Sequence, residues 1–385
     1  MLSLPNEGRT TYHAFARQMT LLHIISACNP TFHKLHIYMA LNDFHPCNHD
    51  WYSTDGNFIT CELCPRKCKL SDGSKGFCGV RQNKGGTLIS TVYNRISAFH
   101  IDPVEKKPLH HFLPSEGVAS FGTVGCNLGC EFCQNWELSR CHPDVRKIDT
   151  SIEKLIRFAV SNQSQMIAYT YNEPLVWAEF AIDVAQAARE NNLKNIAVTA
   201  GYAEPAPRRA FFNAMDAANV DLKAFDDAFY KKYTGARLSV ILDTLTELAH
   251  KPNFWLEITT LLIPGENDSD TMLEKEFNWI ANELGQHIPV HLSAFHPDYK
   301  MLNKPCTPIE TLQRAKKIAQ NSGLLFVYLG NTMEPAHTRC PQCGNNLIER
   351  WGYDVTITGL KGNQCQKCCY TLPGVFRNHE NNTQK

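Results

Sequence analysis

The stretch Gly125-Cys126-Asn127-Leu128-Gly129-Cys130-Glu131-Phe132-Cys133-Gln134-Asn135 places three cysteines at C-x3-C-x2-C spacing, directly after a short apolar run at residues 118–124. A cubane of four irons and four sulfides takes four thiolates. A loop that offers three therefore leaves one iron free to bind a small molecule. Gly125 and Gly129 let the backbone curl around such a cluster and direct amide hydrogens at its sulfides. The pattern predicts an iron-sulfur site, and a zinc knuckle with a fourth ligand elsewhere is the alternative.

Charge and composition narrow the class of protein. The 385 residues include 38 basic and 38 acidic side chains, so the net charge is zero and predicts neither nucleic acid nor a membrane as partner. Apolar runs stay below the ~20 residues that span a bilayer, and the N-terminus lacks the pattern of a secretion signal. Most of the 16 cysteines stand in C-x2-C or C-x3-C groups, which suit metals better than disulfides. We therefore expect a cytoplasmic protein.

The chain divides into four predicted parts. Residues 1–50 contain six histidines without metal-ligand spacing and show weak periodicity, which predicts a poorly ordered extension. Met39 is an alternative start of translation, which peptides from Met1 in full yield would contradict. Residues 51–117 form a cysteine-rich segment, residues 118–332 a core barrel, and residues 333–385 a second cysteine-rich segment with a tail.

Between residues 118 and 330, short apolar runs alternate with longer amphipathic ones. The short runs predict strands at 118–124, 166–171, 195–200, 219–223, 254–263, 290–294 and 325–330. The long runs predict helices at 152–160, 175–191, 207–217, 240–249, 270–284 and 311–321. Such alternation implies a parallel sheet joined by right-handed crossovers. The predicted fold is α/β with a partial TIM-like barrel, and a doubly wound open sheet is the alternative.

Polar side chains stand near the ends of these predicted strands. The carboxyl ends of parallel barrel strands meet at one mouth. Asn172 and Glu173 follow the second strand, where a helix N-cap is the alternative to a binding role. Asp221 and Lys223 are two residues apart, so both side chains face one side, either into the barrel or as a solvated surface pair. The predicted registers also turn residues 257, 259 and 291 to the mouth, although a buried histidine is more often part of a hydrogen-bonded core.

A C-terminal group of cysteines has the layout of a zinc ribbon or rubredoxin-like site. Its two C-x2-C knuckles are Cys340 with Cys343 and Cys365 with Cys368. Four thiolates without an open position make a structural or electron-carrying site, and zinc is favoured over iron. Cys369 follows directly, so the choice of the fourth ligand between Cys368 and Cys369 stays open.

An N-terminal group of cysteines has the spacing C-x2-C-x3-C-x9-C. Its members are Cys61, Cys64, Cys68 and Cys78. Four thiolates hold either zinc or a second iron-sulfur cluster. Either metal would fold a segment too small for a core of its own.

Several phrases of the sequence together resemble radical S-adenosylmethionine (SAM) enzymes. The cysteine loop, with an aromatic residue before its last cysteine, is similar to their cluster loop. From residue 61 to about residue 376, the chain resembles the radical SAM enzyme of the AmmeMemoRadiSam system, a relative of the pyruvate formate-lyase-activating enzymes. The phrases are Cys61-Glu62-Leu63-Cys64-Pro65-Arg66-Lys67-Cys68, Gly76-Phe77-Cys78-Gly79-Val80-Arg81, Asp102-Pro103-Val104-Glu105-Lys106-Lys107-Pro108-Leu109 and Cys133-Gln134-Asn135-Trp136-Glu137.

The resemblance implies a catalytic 4Fe-4S cluster held by Cys126, Cys130 and Cys133. Its open iron would chelate the amino and carboxylate groups of SAM. One electron from a reduced flavodoxin or ferredoxin would cleave SAM to methionine and a 5'-deoxyadenosyl radical, which abstracts hydrogen from a substrate. Kinship with activating enzymes suggests a glycine of a partner protein as that substrate, and a small molecule or a peptide is equally compatible.

The resemblance also implies contacts to SAM near the barrel mouth. Glu173 stands where related enzymes hold the amino group of SAM with a Gly-Gly-Glu-Pro turn, but Tyr171 and Asn172 replace the glycine pair here. Lys223, with Asp221, would contact the carboxylate or ribose of SAM. The predicted cofactor-binding residues are Phe132, Asn172, Glu173, Asp221, Lys223 and Glu257.

Two other functions are compatible with the cysteine groups. A multi-metal scaffold would hold zinc in every group and be colourless when purified without oxygen. An iron-sulfur electron-transfer protein would be brown yet indifferent to SAM. Charged side chains directed at one barrel mouth favour the enzyme, because a scaffold does not need them there.

Overall fold

An eight-stranded sheet forms the centre of the structure, a computed structural model that describes residues 45–377. Its strands are β1 (Ala98–Pro103), β2 (Gly117–Gly122), β3 (Met166–Tyr169), β4 (Lys194–Thr199), β5 (Ala217–Asp221), β6 (Trp255–Leu262), β7 (Val290–Ala294) and β8 (Val327–Gly330). Strands β2 to β8 are parallel, and each pairs with the next one along the chain. Strand β1 runs antiparallel to β2 at one edge.

Sequential pairing distinguishes the two predicted α/β folds. A doubly wound sheet reverses its strand order at a switch point. No reversal occurs in the order β8-β7-β6-β5-β4-β3-β2-β1. Right-handed crossovers that all advance in one direction place the helices on one face, so the other face curls inward. The predicted partial barrel is therefore confirmed.

Amphipathic helices connect the parallel strands. They are α1 (Ile152–Ser161), α2 (Ala178–Glu190), α3 (Pro205–Asn213), α4 (Leu238–Ala249), α5 (Asp270–Trp279) and α6 (Ile309–Asn321). Helix α1 begins at Ser151, whose side chain accepts a hydrogen bond from Lys154 N, and α5 begins at Ser269 in the same way. All predicted core strands and helices are present within a few residues. Within residues 45–377, no helix is long and apolar enough to cross a membrane.

The edge strand β1 joins the cysteine-rich N-terminal segment to the central sheet. It lies within the segment 51–117, yet it pairs with β2 along its whole length, from Ala98 opposite Gly122 to Pro103 opposite Gly117. Of its residues only Asp102 is buried. The strand therefore lacks the continuous apolar run that marks buried parallel strands.

The N-terminal segment consists of small antiparallel sheets. Its strands are His45–Pro46, Tyr52–Asp55, Phe58–Cys61, Lys69–Leu70, Arg81–Lys84, Thr87–Ser90 and Arg95–Ile96, the last paired with Ile148–Asp149. Residues 1–44 of the predicted extension lie outside the described residues. Residues 45–50 belong to the folded segment, because His45 pairs with Ser90 and Cys47 is buried.

The C-terminal segment closes the floor of the barrel. Its strands are Thr338–Arg339, Asn346–Trp351, Asp354–Ile357, Leu360–Lys361 and Gln364–Cys365. The fully buried Arg350 donates hydrogen bonds to His110 O at 2.6 Å and to Thr338 Oγ1 at 2.7 Å. Inside the barrel, Leu109 and Phe112 pack with Met166 of β3. The segment that follows β1 therefore fills the lumen, and the C-terminal segment is fixed to it.

Glu276 on α5 makes stability depend on pH. It is 1% exposed and accepts a hydrogen bond from Thr260 Oγ1 at 2.5 Å. Burial raises its pKa to about 8 from an ordinary value of 4.5. Between these two values the unfolded chain loses a proton that the folded chain retains, so the free energy of unfolding falls as pH rises.

We expect Glu276→Gln to raise the free energy of unfolding at pH 8.5 by about 2 kcal/mol and to flatten its pH dependence. The measurement is thermal unfolding at pH 6 and pH 8.5. Glu274→Gln is the matched control, because Glu274 is exposed on the same helix. An unchanged pH slope in E276Q would contradict this account.

Candidate functional site

The cysteine loop lies at the carboxyl end of β2 and is held by neighbouring backbone. Gly129 N donates to Thr234 O at 2.7 Å, and Glu131 N donates to Tyr233 O at 2.9 Å. Gly125 has a φ of +94°, and a Cβ atom there would lie 2.5 Å from Cys78 O. Only glycine fits such a position. The protein's own contacts therefore set the course of the loop.

Two arginines hold the loop by hydrogen bonds to its backbone carbonyls, and the sequence prediction missed both. Arg140 donates from one nitrogen to Cys126 O, at 3.1 Å, and to Leu128 O. Arg66 donates from Nε to Asn127 O at 2.5 Å. Arg66 stands within one of the phrases that carry the family resemblance, but local spacing does not show a contact to a residue so distant in the chain.

Asn172 anchors the start of the loop. Its Oδ1 accepts from Thr123 N at 3.1 Å, while its Nδ2 donates to Thr123 Oγ1 at 3.1 Å and to Gly125 O at 2.7 Å. The side chain is buried. The amide thus positions the loop, and a direct contact with a cofactor stays a prediction.

Glu173 joins the carboxyl ends of β3 and β4. Its carboxylate accepts from Leu175 N at 3.2 Å, Thr199 Oγ1 at 2.5 Å and Ala200 N at 2.8 Å. The bond from Leu175 makes Glu173, rather than Asn172, the N-cap of a short 3-10 helix at Pro174–Trp177. Burial raises the pKa of Glu173. A carboxylate accepts about four hydrogen bonds, so one acceptor position remains for a ligand ammonium.

Asp221 and Lys223 lie beside the cysteine loop. Their side chains form an ion pair at 3.0 Å and are 35% and 14% exposed, so they are not a solvated surface pair. Burial disfavours the charge of Lys223, but the negative groups around it, Asp221 first among them, together outweigh burial and raise the Lys223 pKa. The Lys223 ammonium lies 5.8 Å from the ring centroid of Phe132. Burial also raises the pKa of Cys130 to about 11, and Lys223 opposes the rise.

Glu257, one of the predicted cofactor-binding residues, lies away from the mouth of the barrel, and its contact with a cofactor stays a prediction. This residue lies in the amino-terminal half of β6, level with Asn219 rather than Asp221. Its fully buried carboxylate accepts from His110 N, His111 N, Trp255 Nε1 and His291 Nε2, at 2.6 to 2.9 Å. It therefore belongs to the floor of the barrel.

His291 and Thr259, the other two residues predicted to face the mouth, are paired in register with each other but differ in their hydrogen bonds. His291 is a hydrogen-bonded core residue, as the structural alternative proposed. Thr259 is level with Asp221, and its buried Oγ1 has no hydrogen-bond partner among the described residues. The contact of Thr259 with a ligand in the mouth stays a prediction.

The four C-terminal cysteines come together as a group that could hold one metal ion. The sulfur atoms of Cys340 and Cys368 are 3.5 Å apart, and those of Cys343 and Cys365 are 3.7 Å apart. All four sulfurs lie within 4.8 Å of one another. Zinc–sulfur bonds of about 2.3 Å predict a separation of about 3.8 Å in a tetrahedron. Cys368, not Cys369, completes this group, and the choice of zinc over iron stays a prediction.

The N-terminal cysteines also come together in space. One cavity is lined by the predicted ligands Cys61, Cys64, Cys68 and Cys78. None of them forms a disulfide. Asn127 of the cysteine loop lines the same cavity. The two cysteine groups are therefore adjacent.

The cysteine loop brings three thiols to the mouth of a partial barrel, beside a lysine–aspartate pair. This arrangement is expected of a radical SAM enzyme. Residues 121–276 match the radical SAM superfamily. An uncharacterised protein of Methanocaldococcus jannaschii is 40% identical over 319 residues, which cover 82% of this chain and 95% of that protein. The chain belongs to the radical SAM superfamily and is an enzyme of that class.

More distant similarities extend to activating enzymes. The pyruvate formate-lyase-activating enzyme of Clostridium pasteurianum is 24% identical over 204 residues, covering 50% of this chain and 84% of that enzyme. The crystal structure of a radical SAM methyltransferase from Sphaerobacter thermophilus aligns with a TM-score of 0.46 at 14% identity, covering 81% of this chain and 85% of that one. Membership of the AmmeMemoRadiSam group stays a prediction, because none of these similarities names it.

We expect Asn172→Ala to loosen the cysteine loop, because it leaves Gly125 O and Thr123 N without their partner. The loss should cost about 1–3 kcal/mol of stability and speed the release of iron from reconstituted protein to a chelator. Asn191→Ala, at the exposed end of α2, is the control. Equal release of iron from N172A and wild type would argue against an anchoring role.

The C-terminal metal should depend on Cys368 and not on Cys369. Cys369 is exposed and adjoins the ligand, so Cys369→Ser is a matched control. We expect Cys368→Ser to lose one metal ion per chain by elemental analysis and to lower Tm. C369S should keep the metal content and the Tm of wild type. Metal retained in C368S and lost in C369S would reverse the ligand assignment.

Proposed function

We propose that this enzyme reductively cleaves SAM and uses the radical it generates to abstract hydrogen from a glycine of a partner protein. The proposal rests on one observation: three free thiols, and no fourth in the same loop, lie beside a partly buried lysine–aspartate pair. When bound, a 4Fe-4S cluster and SAM supply the one-electron cleavage and the radical. The remaining chemistry concerns what the chain's own residues do.

The donor set fits an iron-sulfur cluster. Burial raises the pKa of Cys126 and Cys130, so their thiolates need a bound metal to offset the cost of burying charge. Leu128 N lies 3.4 Å from Cys126 Sγ and donates to it. An amide donor of this kind tunes the potential of a cluster. The Arg140 guanidinium, bonded to Cys126 O, adds positive charge beside the loop.

We propose that three residues bind SAM. Lys223 offers an ammonium to the SAM carboxylate, and the free acceptor position of Glu173 suits the SAM amino group. Phe132, next to Cys133 and 4% exposed, contributes an apolar surface near the cluster. A reduced flavodoxin or ferredoxin supplies the electron. Because a radical must be kept from water, the substrate has to enter a covered mouth.

The choice of a protein glycine as substrate is supported by the activating-enzyme relatives. One of them is named for activating pyruvate formate-lyase. The SAM-binding positions proposed for this chain do not depend on that choice. A small-molecule substrate would leave the cluster, Lys223 and Glu173 in the same roles and alter only the group that loses hydrogen.

The first test is an assay of 5'-deoxyadenosine by chromatography, with anaerobic, iron- and sulfide-reconstituted protein, SAM and dithionite. We expect product that requires the reductant and is absent from the triple variant Cys126→Ala, Cys130→Ala, Cys133→Ala. Cys306→Ala is the control, because Cys306 is exposed and outside every cysteine group. No product from protein with full clusters would favour an electron-transfer protein, and protein without iron would favour a scaffold.

Lys223→Met tests the binding role separately. Loss of a charge-assisted contact of about 1.4 kcal/mol or more corresponds to at least tenfold weaker SAM binding. We expect KM for SAM to rise more than kcat falls. Unchanged SAM affinity in K223M would remove Lys223 from the SAM site while leaving SAM cleavage itself intact.

A further inference from the structure

The N-terminal cysteines differ from the C-terminal ones in the spacing of their sulfurs. Among residues 45–377, only the C-terminal set brings three or more potential ligand atoms within 4.8 Å of one another. The four N-terminal cysteines line one cavity, but no three of their sulfurs lie that close together. The same holds for the cysteine loop at the SAM site. Four thiolates around one ion must nearly touch, whereas a cubane binds each thiolate to a different iron and keeps them apart.

The surroundings of the N-terminal cavity suit sulfur ligands that carry charge. Phe77 N donates to Cys68 Sγ at 3.5 Å. Such amide donors to thiolate sulfur are typical of cluster sites.

A buried arginine adds a cation to the same cavity. Arg81 lines it and is 1% exposed. Its guanidinium is paired with Glu179 through two bonds, at 2.6 and 2.9 Å, so its position is fixed. Glu179 does not line the cavity, so the positive end of this ion pair faces the four thiolates, whichever metal they bind.

The cavity also shares a wall with the cysteine loop of residues 125–135. Arg66, on the N-terminal segment, donates to Asn127 O, and Cys78 O packs against Gly125. The ring of Phe77 lies against Gly129, where an added Cβ would be 3.3 Å away. Whatever the N-terminal cysteines bind is therefore next to the first cluster, in the position of a second redox centre rather than of a remote structural ion.

We propose that Cys61, Cys64, Cys68 and Cys78 hold a second 4Fe-4S cluster and not zinc. The site is closed by four thiolates, so it binds no SAM. The proposal does not rest on the proposed function, since the cluster can be counted in protein that has lost the SAM site.

The test uses the full chain carrying Cys126→Ala, Cys130→Ala and Cys133→Ala, expressed with both iron and zinc available and purified without oxygen. We expect about four iron and four sulfide per chain, a brown colour, and an electron paramagnetic resonance signal after dithionite. Addition of Cys64→Ser should remove that iron, while addition of Cys306→Ser should leave it. Wild-type protein should hold about twice as much iron as the triple variant.

The C-terminal metal serves as an internal check on folding. A variant that has lost iron but keeps the C-terminal ion and the far-ultraviolet circular dichroism of wild type is folded, so the loss reports on the site. A folded, colourless triple variant with an extra zinc ion per chain would overturn the proposal. So would iron that survives Cys64→Ser unchanged.

Discussion

The parallel register of β2 against β3 is the constraint on which the site depends. It places Phe121 opposite Tyr169, and Thr170 N donates to Phe121 O at 3.0 Å. A Cβ at Gly122 would collide with Thr170 O, so glycine is required where the two strands end. Shortly after β3 ends, the side chain of Asn172 forms hydrogen bonds with Thr123 N and Gly125 O, at the start of the cysteine loop. A slip of the register would separate the loop from its anchor.

Burying sulfur ligands is a second constraint, and it recurs in three places. A buried thiolate is costly unless a metal, a cation or an amide offsets its charge. Arg140 offsets the charge beside the cysteine loop, and Arg81 does so beside the N-terminal cysteines. Backbone amides donate to sulfur at both places. Metal binding therefore contributes to folding as well as chemistry, most of all in the small terminal segments.

The floor of the barrel shows why a carboxylate inside a barrel need not be catalytic. The four donors to Glu257 come from β6, β7 and the segment that follows β1. Burial disfavours its ionised form, but the contributions of His291, His111 and the His110 amide together outweigh burial, and the pKa of Glu257 lies below its usual range. A fully satisfied buried network fixes one arrangement of the elements that meet there. Glu257 thus joins the lumen segment to the sheet and leaves the mouth to residues higher on the strands.

The sequence by itself determined the alternation of strand and helix, the three cysteine groups and the carboxyl-end positions of Glu173 and Lys223, because periodicity and ligand spacing are local properties. The tertiary structure decided what depends on register and on distant contacts. A shift of two residues along one strand separates Thr259 at the mouth from Glu257 at the floor, and no local pattern shows it. The contact of Arg66 with the cysteine loop and the choice of Cys368 over Cys369 likewise follow only from how distant segments pack.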